Sequence, residues 1–248
     1  MFKPEQVIHH HQHFNSKTIL PKEFGILSWN AQKKSNLIRF KQNLSILQRK
    51  YFTNLILLQE AREIEQEQNN HLLSDFDKIY SANLQMKKRS YGLLTASSAT
   101  HSKAASILSH HKEPFIKTHK NILISSYTLH NKKKLFVVNI HAINFKSTKA
   151  YSHEINTLVS FLSNHQGPLI VAGDFNSWNK KRNLILLDTL KILHLKKVLF
   201  LNEQNIKKFR QFTLDHIFYR DLKLLNAEAL NCNKISDHNP LYSLFKTI

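Results

Sequence analysis

The stretch LIVAGDFNSWN, residues 169–179, runs from an aliphatic segment straight into Asp174 and Asn176. A short apolar run of this kind has the pattern of a buried strand, and the residues after its glycine leave the core for a loop. Other segments end or begin in the same way. LSWN ends in Asn30, LILLQE in Glu60 and FVVNIH in His141, while Asp215 opens LDHIFY, and Asp237 and His238 precede NPLYSLF. Carboxylates and amides offer oxygen ligands that suit a hard divalent ion, and acid–base side chains can move protons in either direction. A strand-terminal Asp or Asn also forms turns by capping nearby backbone, so any one of these is weak evidence. Their number, each at a strand terminus, points to one edge of a sheet, where ligands of α/β proteins commonly sit.

The elements that must position these groups are short. GILSW, NLILL, GLLTA, ILISSYTL, LFVVNI, LIVA, HIFY and LYSLF read as strands. Leu37, Phe40, Leu44, Leu47 and Tyr51 recur at three- and four-residue steps and predict a helix over 35–51. Tyr151, Ile155, Leu158 and Leu162 predict a second over 149–163, stopped by Gly167 and Pro168, and a third is predicted over residues 180–194. With so many strands and so few helices between them, some strands must be antiparallel neighbours, and mixed α/β is the expected class.

The chain has 248 residues, enough for one large core, and no repeat or long linker divides it. Residues 1–23 are expected to form a flexible polar arm, with HHHQH at 9–13, ahead of a domain spanning 24–248. Thirty-six Lys and Arg against 17 Asp and Glu give a net charge of +19, which favours a polyanion, either nucleic acid or an anionic membrane surface. The same excess also arises when a Lys- and Asn-rich chain reflects the base composition of its genome. A single cysteine, Cys232, excludes an internal disulfide and any multi-thiolate zinc site. Residues 1–24 carry no basic start followed by an apolar stretch, so a cytoplasmic protein is the expectation, with signal-less export as the alternative.

In this order WN, LQE, NIH, GDFN, LDHIF and SDHNPL resemble the endonuclease/exonuclease/phosphatase superfamily, over roughly residues 24–246. VVNIHAINF and GPLIVAGDFNSWNKKR look closer still to its bacterial YafD-like branch. The resemblance implies a DNase I-like four-layered α/β/β/α sandwich of two mixed sheets with an active site at one edge. It implies that Glu60 is the principal metal ligand, with Asn30 on the ion or its waters and Asp237 at the same or a second ion. Asp174 resembles the carboxylate that orients or deprotonates the attacking water, and Asn176 the amide that holds that water or a phosphoryl oxygen. His238 resembles a phosphate contact and proton-transfer partner, with Asp215 orienting its ring. His141 resembles a histidine that donates to the leaving oxygen or grips the phosphate. Magnesium is the expected ion, with manganese as a substitute, because it takes few carboxylates and keeps its waters.

Two positions depart from the pattern. Where repair endonucleases of the exonuclease III type usually place tyrosine, this chain has His141, and His216 stands in LDHIF where an aromatic or aliphatic residue is usual. Basic clusters lie at Lys87, Lys88 and Arg89, at Lys132, Lys133 and Lys134, at Lys180, Lys181 and Arg182, and at Lys207, Lys208 and Arg210. Lys180, Lys181 and Arg182, with Trp178 just before them and Asn144 in the HAINF stretch, are the expected substrate contacts. The leading expectation is a Mg²⁺-dependent phosphodiesterase acting on DNA or RNA. The alternatives are a phosphoinositide phosphatase or sphingomyelinase-like enzyme, whose basic surface would serve a membrane, and a catalytically silent nucleic-acid-binding module. Exposed hydrophobic loops would favour the lipid enzyme, and the sequence shows no long apolar loop.

Overall fold

The structure is a computed structural model that describes residues 8–11, 17–63, 73–86, 89–114, 118–232 and 234–248. Lys87 and Lys88 of the first basic cluster, and Gln12 and His13 of HHHQH, lie outside the described residues. The strands of the first half are β1 (Ile8–His11), β2 (Ile19–Leu20), β3 (Glu23–Asn30), β4 (Leu55–Arg62), β5 (Asp77–Met86), β6 (Arg89–Ser97), β7 (Lys103–Lys112) and β8 (His119–Leu129). Those of the second are β9 (Lys134–His141), β10 (Leu169–Asp174), β11 (Lys196–Lys197), β12 (Lys208–Phe209), β13 (Phe212–Thr213), β14 (Asp215–Arg220), β15 (Leu222–Ala229) and β16 (Leu241–Thr247). Three helices, α1 (Ile38–Lys50), α2 (Thr148–Leu162) and α3 (Lys180–Ile192), fall within a few residues of the spans that the apolar periodicity predicts.

Two mixed sheets form. One has the order β1-β5-β6-β4-β3-β16-β15, and the other β11-β14-β10-β9-β8, with β2 and β7 both paired to β8. Strand alternation explains how they stack, because successive side chains leave opposite faces. Ile26, Leu55, Leu57, Val137, Ile170, Ala172 and Phe245 point between the sheets into a central core. Their neighbours in sequence point outward: Leu27, Ile56 and Leu58 pack against Phe40, Leu44 and Leu47 of α1. On the far side Val138, Ile140 and Val171 pack against Tyr151, Ile155 and Leu158 of α2 and Leu186 of α3. The layers are therefore helix, sheet, sheet, helix. A buried amide pair ties the sheets together, with Gln59 Nε2 donating to Asn139 Oδ1 at 2.8 Å. Asn139 Nδ2 in turn donates to the carbonyls of Leu58 and Leu94.

The eight strand-like runs all lie in or across strands, but β5, β7 and β15 carry no clear sequence pattern. β7 and β15 are edge strands with many exposed or half-buried positions, and register shifts interrupt the alternation in all three. Within the segment expected as an arm, Ile8–His11 pairs antiparallel with β5, and Ile19–Leu20 pairs parallel with β8.

Candidate active site

Parallel pairing sets the convergence of the polar residues. β3 and β4 run parallel through the α1 crossover, so Asn30 and Glu60 emerge at one edge, and β9 and β10 run parallel through α2, so His141 pairs with Asp174 in register. β14 is antiparallel to β10 and starts at that edge, with Asp215 directly opposite Asp174. β16 is antiparallel to β3, which brings the loop with Asp237 and His238 there as well. Asn30, Glu60, His141, Asp174, Asn176, Asp237 and His238 all line one cleft of about 400 Å³, and Asn144 stands at its side. Asp215 lies behind it, buried under His238.

Two of these residues leave regular geometry. Glu60 sits at a bulge of β4 with φ of +50°, and Asn176 has φ of +47°, both in the left-handed region. Bulges and left-handed residues re-aim side chains at some cost in strain. Gly173, directly before Asp174, has φ of +142°, and a Cβ there would lie 2.0 Å from the carbonyl oxygen of Ile140. Only glycine lets β10 lie this close to β9 just before Asp174.

His238 Nδ1 lies 2.8 Å from Asp215 Oδ2, and its Nε2 faces Asp174 Oδ2 at 3.9 Å. The Trp29 indole N–H donates to the His238 carbonyl at 2.8 Å and Ser236 Oγ donates to the Asn30 carbonyl, which docks this loop on the end of β3. Burial alone would depress His238, but the charge and hydrogen bond of Asp215, with Asp174 and Asp237 nearby, outweigh it and push it up to about 9. Asp174 is pushed up by burial, with the Asp215 carboxylate adding to this and His238 opposing it. Asn30 Nδ2 donates to Asp174 Oδ2 at 3.1 Å and the Asn176 amide N–H to Oδ1 at 2.9 Å, so both carboxylate oxygens are oriented. Asn176 is held in turn by donating from Nδ2 to the Ala142 carbonyl.

His141 is in the opposite state. Burial, then the charges of Lys120, His238 and Lys33, hold it well below the usual histidine range. Lys120 Nζ lies 2.9 Å from His141 Nε2, and an ammonium can only donate, so this nitrogen accepts. Lys120, from the start of β8, is a site residue that sequence reasoning missed. Its only signal is register, since Asn121 pairs with His141. Glu60 Oε1 faces His141 Nε2 at 3.8 Å and Lys120 Nζ at 3.9 Å, both beyond hydrogen-bond length. Asp237 pairs with Lys207 at 3.2 Å at the cleft mouth. Ligand atoms of Asp174, Asp215 and His238 lie within 4.8 Å of one another, a set that a metal ion could use.

The expected basic contacts separate. Arg182 is not a substrate contact: it is fully buried, and its guanidinium donates to the carbonyls of Ile143, Asn176, Asn144 and Lys146 at 2.7–2.9 Å. The same loop is held from its other side by carboxylates, with Ile143 N–H donating to Glu154, and Asn144 and Phe145 N–H to Glu113. Helix α3 puts Arg182 inside because its first turn is capped by Asn179, while Lys180 and Lys181 point to solvent and do not line the cleft. Trp178 is half-buried, with Arg182 4.7 Å from its ring centre. His216 is a core residue, paired with Ser177 Oγ at 3.0 Å and stacked on Phe218, and burial lowers it to about 3.

Residues 27–238 match the Endonuclease/Exonuclease/phosphatase family. The chain belongs to that family. The UPF0294 protein of Vibrio campbellii is 34% identical over 239 residues, covering 94% of this chain and 81% of the relative. An endonuclease/exonuclease/phosphatase from Beutenbergia cavernae superposes with a TM-score of 0.70 at 13% identity, covering 91% of this chain and 72% of that one. The D. rerio TDP2 complexed with a single-strand DNA product superposes at 0.67 and 15% identity, covering 91% and 99%. At these identities the two structures share the fold, the DNase I-like sandwich expected from the motifs, and the Vibrio relative accords with the bacterial branch they resemble. Family membership places the chain among hydrolases of nuclease and phosphatase type, a group that is typically metal-dependent. Among the described residues no helix is long and apolar enough to cross a membrane.

Proposed function

We propose that this chain is a Mg²⁺-dependent phosphodiesterase that hydrolyses DNA or RNA by in-line attack of water, with Mn²⁺ able to substitute. The observation that carries the reading is the placement of Asp174 between the His238–Asp215 pair and the Asn30–Glu60 side of one cleft. Asp174, oriented through both oxygens, holds and deprotonates the water. His238, kept protonated by Asp215, meets the charge that grows on the phosphoryl group and passes its proton from Nε2. Asn176 and Asn144 contact phosphoryl oxygens. His141 is neutral and grips the phosphate together with the Lys120 cation beside it.

Glu60, Asn30 and Asp237 would hold the ion, and the site fits one: among the described residues the Glu60 carboxylate, which lines the cleft, has no cation nearer than 3.8 Å, and each of the three offers an oxygen. Bound there, it would supply charge neutralisation at the phosphate. The net charge of +19 favours nucleic acid as substrate. The fold neighbour TDP2, seen with a single-strand DNA product, supports the same choice.

The test is nicking of supercoiled plasmid by purified protein with Mg²⁺, against EDTA and the Asp174→Asn variant. Nicking that needs the metal and vanishes in the variant is the expected result. An inactive wild type would remove DNA as the substrate, and activity surviving in the variant would displace Asp174 from its role.

A further inference from the structure

Ser109, His110 and His111 of β7 all face the single residue Lys120 of β8, because the pairing passes from Leu108–Asn121 directly to Lys112–His119. Successive side chains of a regular strand leave opposite faces, and a bulge breaks that alternation. Both histidine rings consequently reach the same neighbour. The rings of His110 and His111 lie 5.3 Å and 6.2 Å from the ring of His153 on α2, and 5.0 Å from each other. The apolar layer beneath sets this spacing, since Ile107 of β7 packs into the cluster that holds Tyr151 and Ile155 of α2.

Three imidazoles from two elements make a donor set unlike that of the acidic cleft. All three residues are exposed, and among the described residues no ring nitrogen of theirs has a hydrogen-bond or ion-pair partner. Their hydrogen bonds run through the backbone: the His111 carbonyl accepts from Ser109 Oγ, and the His153 carbonyl from Thr157 Oγ1. Partial desolvation, then the charges of His110, His153 and Lys146, hold His111 below the usual histidine range, which favours the neutral, ligating form. Imidazole nitrogen suits zinc, copper or nickel, whereas magnesium asks for oxygen. Zn–N bonds of about 2.0–2.1 Å put each ring centre about 3.2 Å from the ion, so a tetrahedral arrangement spaces the centres about 5.2 Å apart. The observed spacings are close to that. The nitrogens converge once the rings turn about χ2, a broad torsion that exposed, unpartnered rings are free to follow.

We propose that His110, His111 and His153 form a second metal site, for a zinc-class transition ion, that ties the bulge of β7 to α2. Three histidines leave a fourth tetrahedral position open to water. The site stands whether or not the acidic cleft hydrolyses phosphodiesters, yet the two share a wall. In the bulge Ser109 Oγ accepts from the Lys120 N–H, Glu113 lies two residues beyond His111, and Glu154 follows His153. Glu113 and Glu154 accept from Ile143, Asn144 and Phe145, so an ion here braces that loop from outside. An anion would suit the cluster only with its rings protonated, and three imidazoliums at these spacings beside Lys146 repel one another.

The test is calorimetric titration of Zn²⁺ into the full chain in excess Mg²⁺. Four variants are compared: His111→Ala, His153→Ala, Asp174→Asn, and one carrying His9→Ala, His10→Ala, His11→Ala and His13→Ala together. All three rings of the site are exposed, so alanine there leaves the fold intact. The expected result is a Zn²⁺ site that His111→Ala and His153→Ala each weaken by roughly 100-fold or more, since loss of even an outer partner of a ligand costs about 10- to 100-fold. The other two variants should bind that Zn²⁺ as the wild type does, which separates the site from the acidic cleft and from the HHHQH stretch. Zn²⁺ should also raise the melting temperature of the wild type and not that of His153→Ala. Unchanged affinity in either single-histidine variant, or loss of the site in either of the other two, would overturn the proposal. So would heats of inorganic phosphate binding that the single-histidine variants abolish.

Discussion

His238 and Asp215 are 23 residues apart in sequence, and their side chains meet at 2.8 Å through Nδ1 and Oδ2. The contact decides the charge of the ring, because the buried carboxylate more than offsets the burial that would keep an isolated imidazole neutral. Asp215→Asn keeps the shape and removes the charge. With DNA and Mg²⁺, the variant should lose on the order of 10²–10⁴ in rate at neutral pH. Its alkaline limb, set in the wild type by loss of the His238 proton at about 9, should move to lower pH. A pH–rate profile of both proteins checks this, and an alkaline limb that stays in place would remove His238 as the proton carrier.

The same contact gives stability a pH dependence. The folded-state value of His238 lies above its unfolded value, so its contribution is fully present below the unfolded value and is lost as pH rises through about 9. Denaturant unfolding should therefore show stability falling between about pH 6.5 and 9.5, by on the order of 2–3 kcal/mol. Glu154, raised by burial to about 7, adds a loss of the same sign at lower pH. Asp215→Asn should flatten the alkaline part of the curve and leave the Glu154 part; a wild-type curve rising with pH across the alkaline window would contradict the His238 assignment, and one rising below about pH 7 the Glu154 assignment.

Arg182 and its neighbours in the same basic cluster should behave differently. Arg182→Met strips four carbonyls of their donor and removes a positive charge that faces the loop carboxylates of Glu154 and Glu113, at a cost of roughly 3–5 kcal/mol. Lys180→Ala and Lys181→Ala touch only solvent and should stay within about 0.5 kcal/mol of the wild type. Midpoints of urea unfolding would separate them, and a mild Arg182→Met would mean that the clamp is dispensable.

Gly173→Ala should be among the most damaging substitutions of a single methyl group. The added Cβ meets backbone rather than a flexible side chain, and the φ of +142° is open to glycine alone. A loss above roughly 4 kcal/mol, or failure to fold, is expected. Thermal melting by circular dichroism is the check, with a near-native melting temperature as the contrary result.

Much of the fold is legible in the sequence because it depends on local periodicity. The helix rhythm of Phe40, Leu44 and Leu47, and the buried run of Leu169–Asp174, appear in the structure nearly where the pattern puts them. Strands β5, β7 and β15 are not legible, since their alternation is broken and their stability comes from pairing with neighbours. Arg182 misleads for a related reason: Lys180, Lys181 and Arg182 look alike as a charge run, and only the turn of α3 decides which of them faces inward.

The sequence by itself determined the chemical inventory of the site and the edge at which it assembles. Oxygen and imidazole donors stand at strand termini, and parallel crossovers bring those termini together. The tertiary structure alone decided how each donor is charged and held. His141 and His238 are the same residue type, yet burial with Lys120 alongside keeps one neutral, and Asp215 beside the other keeps it protonated. A proton affinity is set by burial and by charges within a few ångströms, and those charges come from segments that lie far apart along the chain.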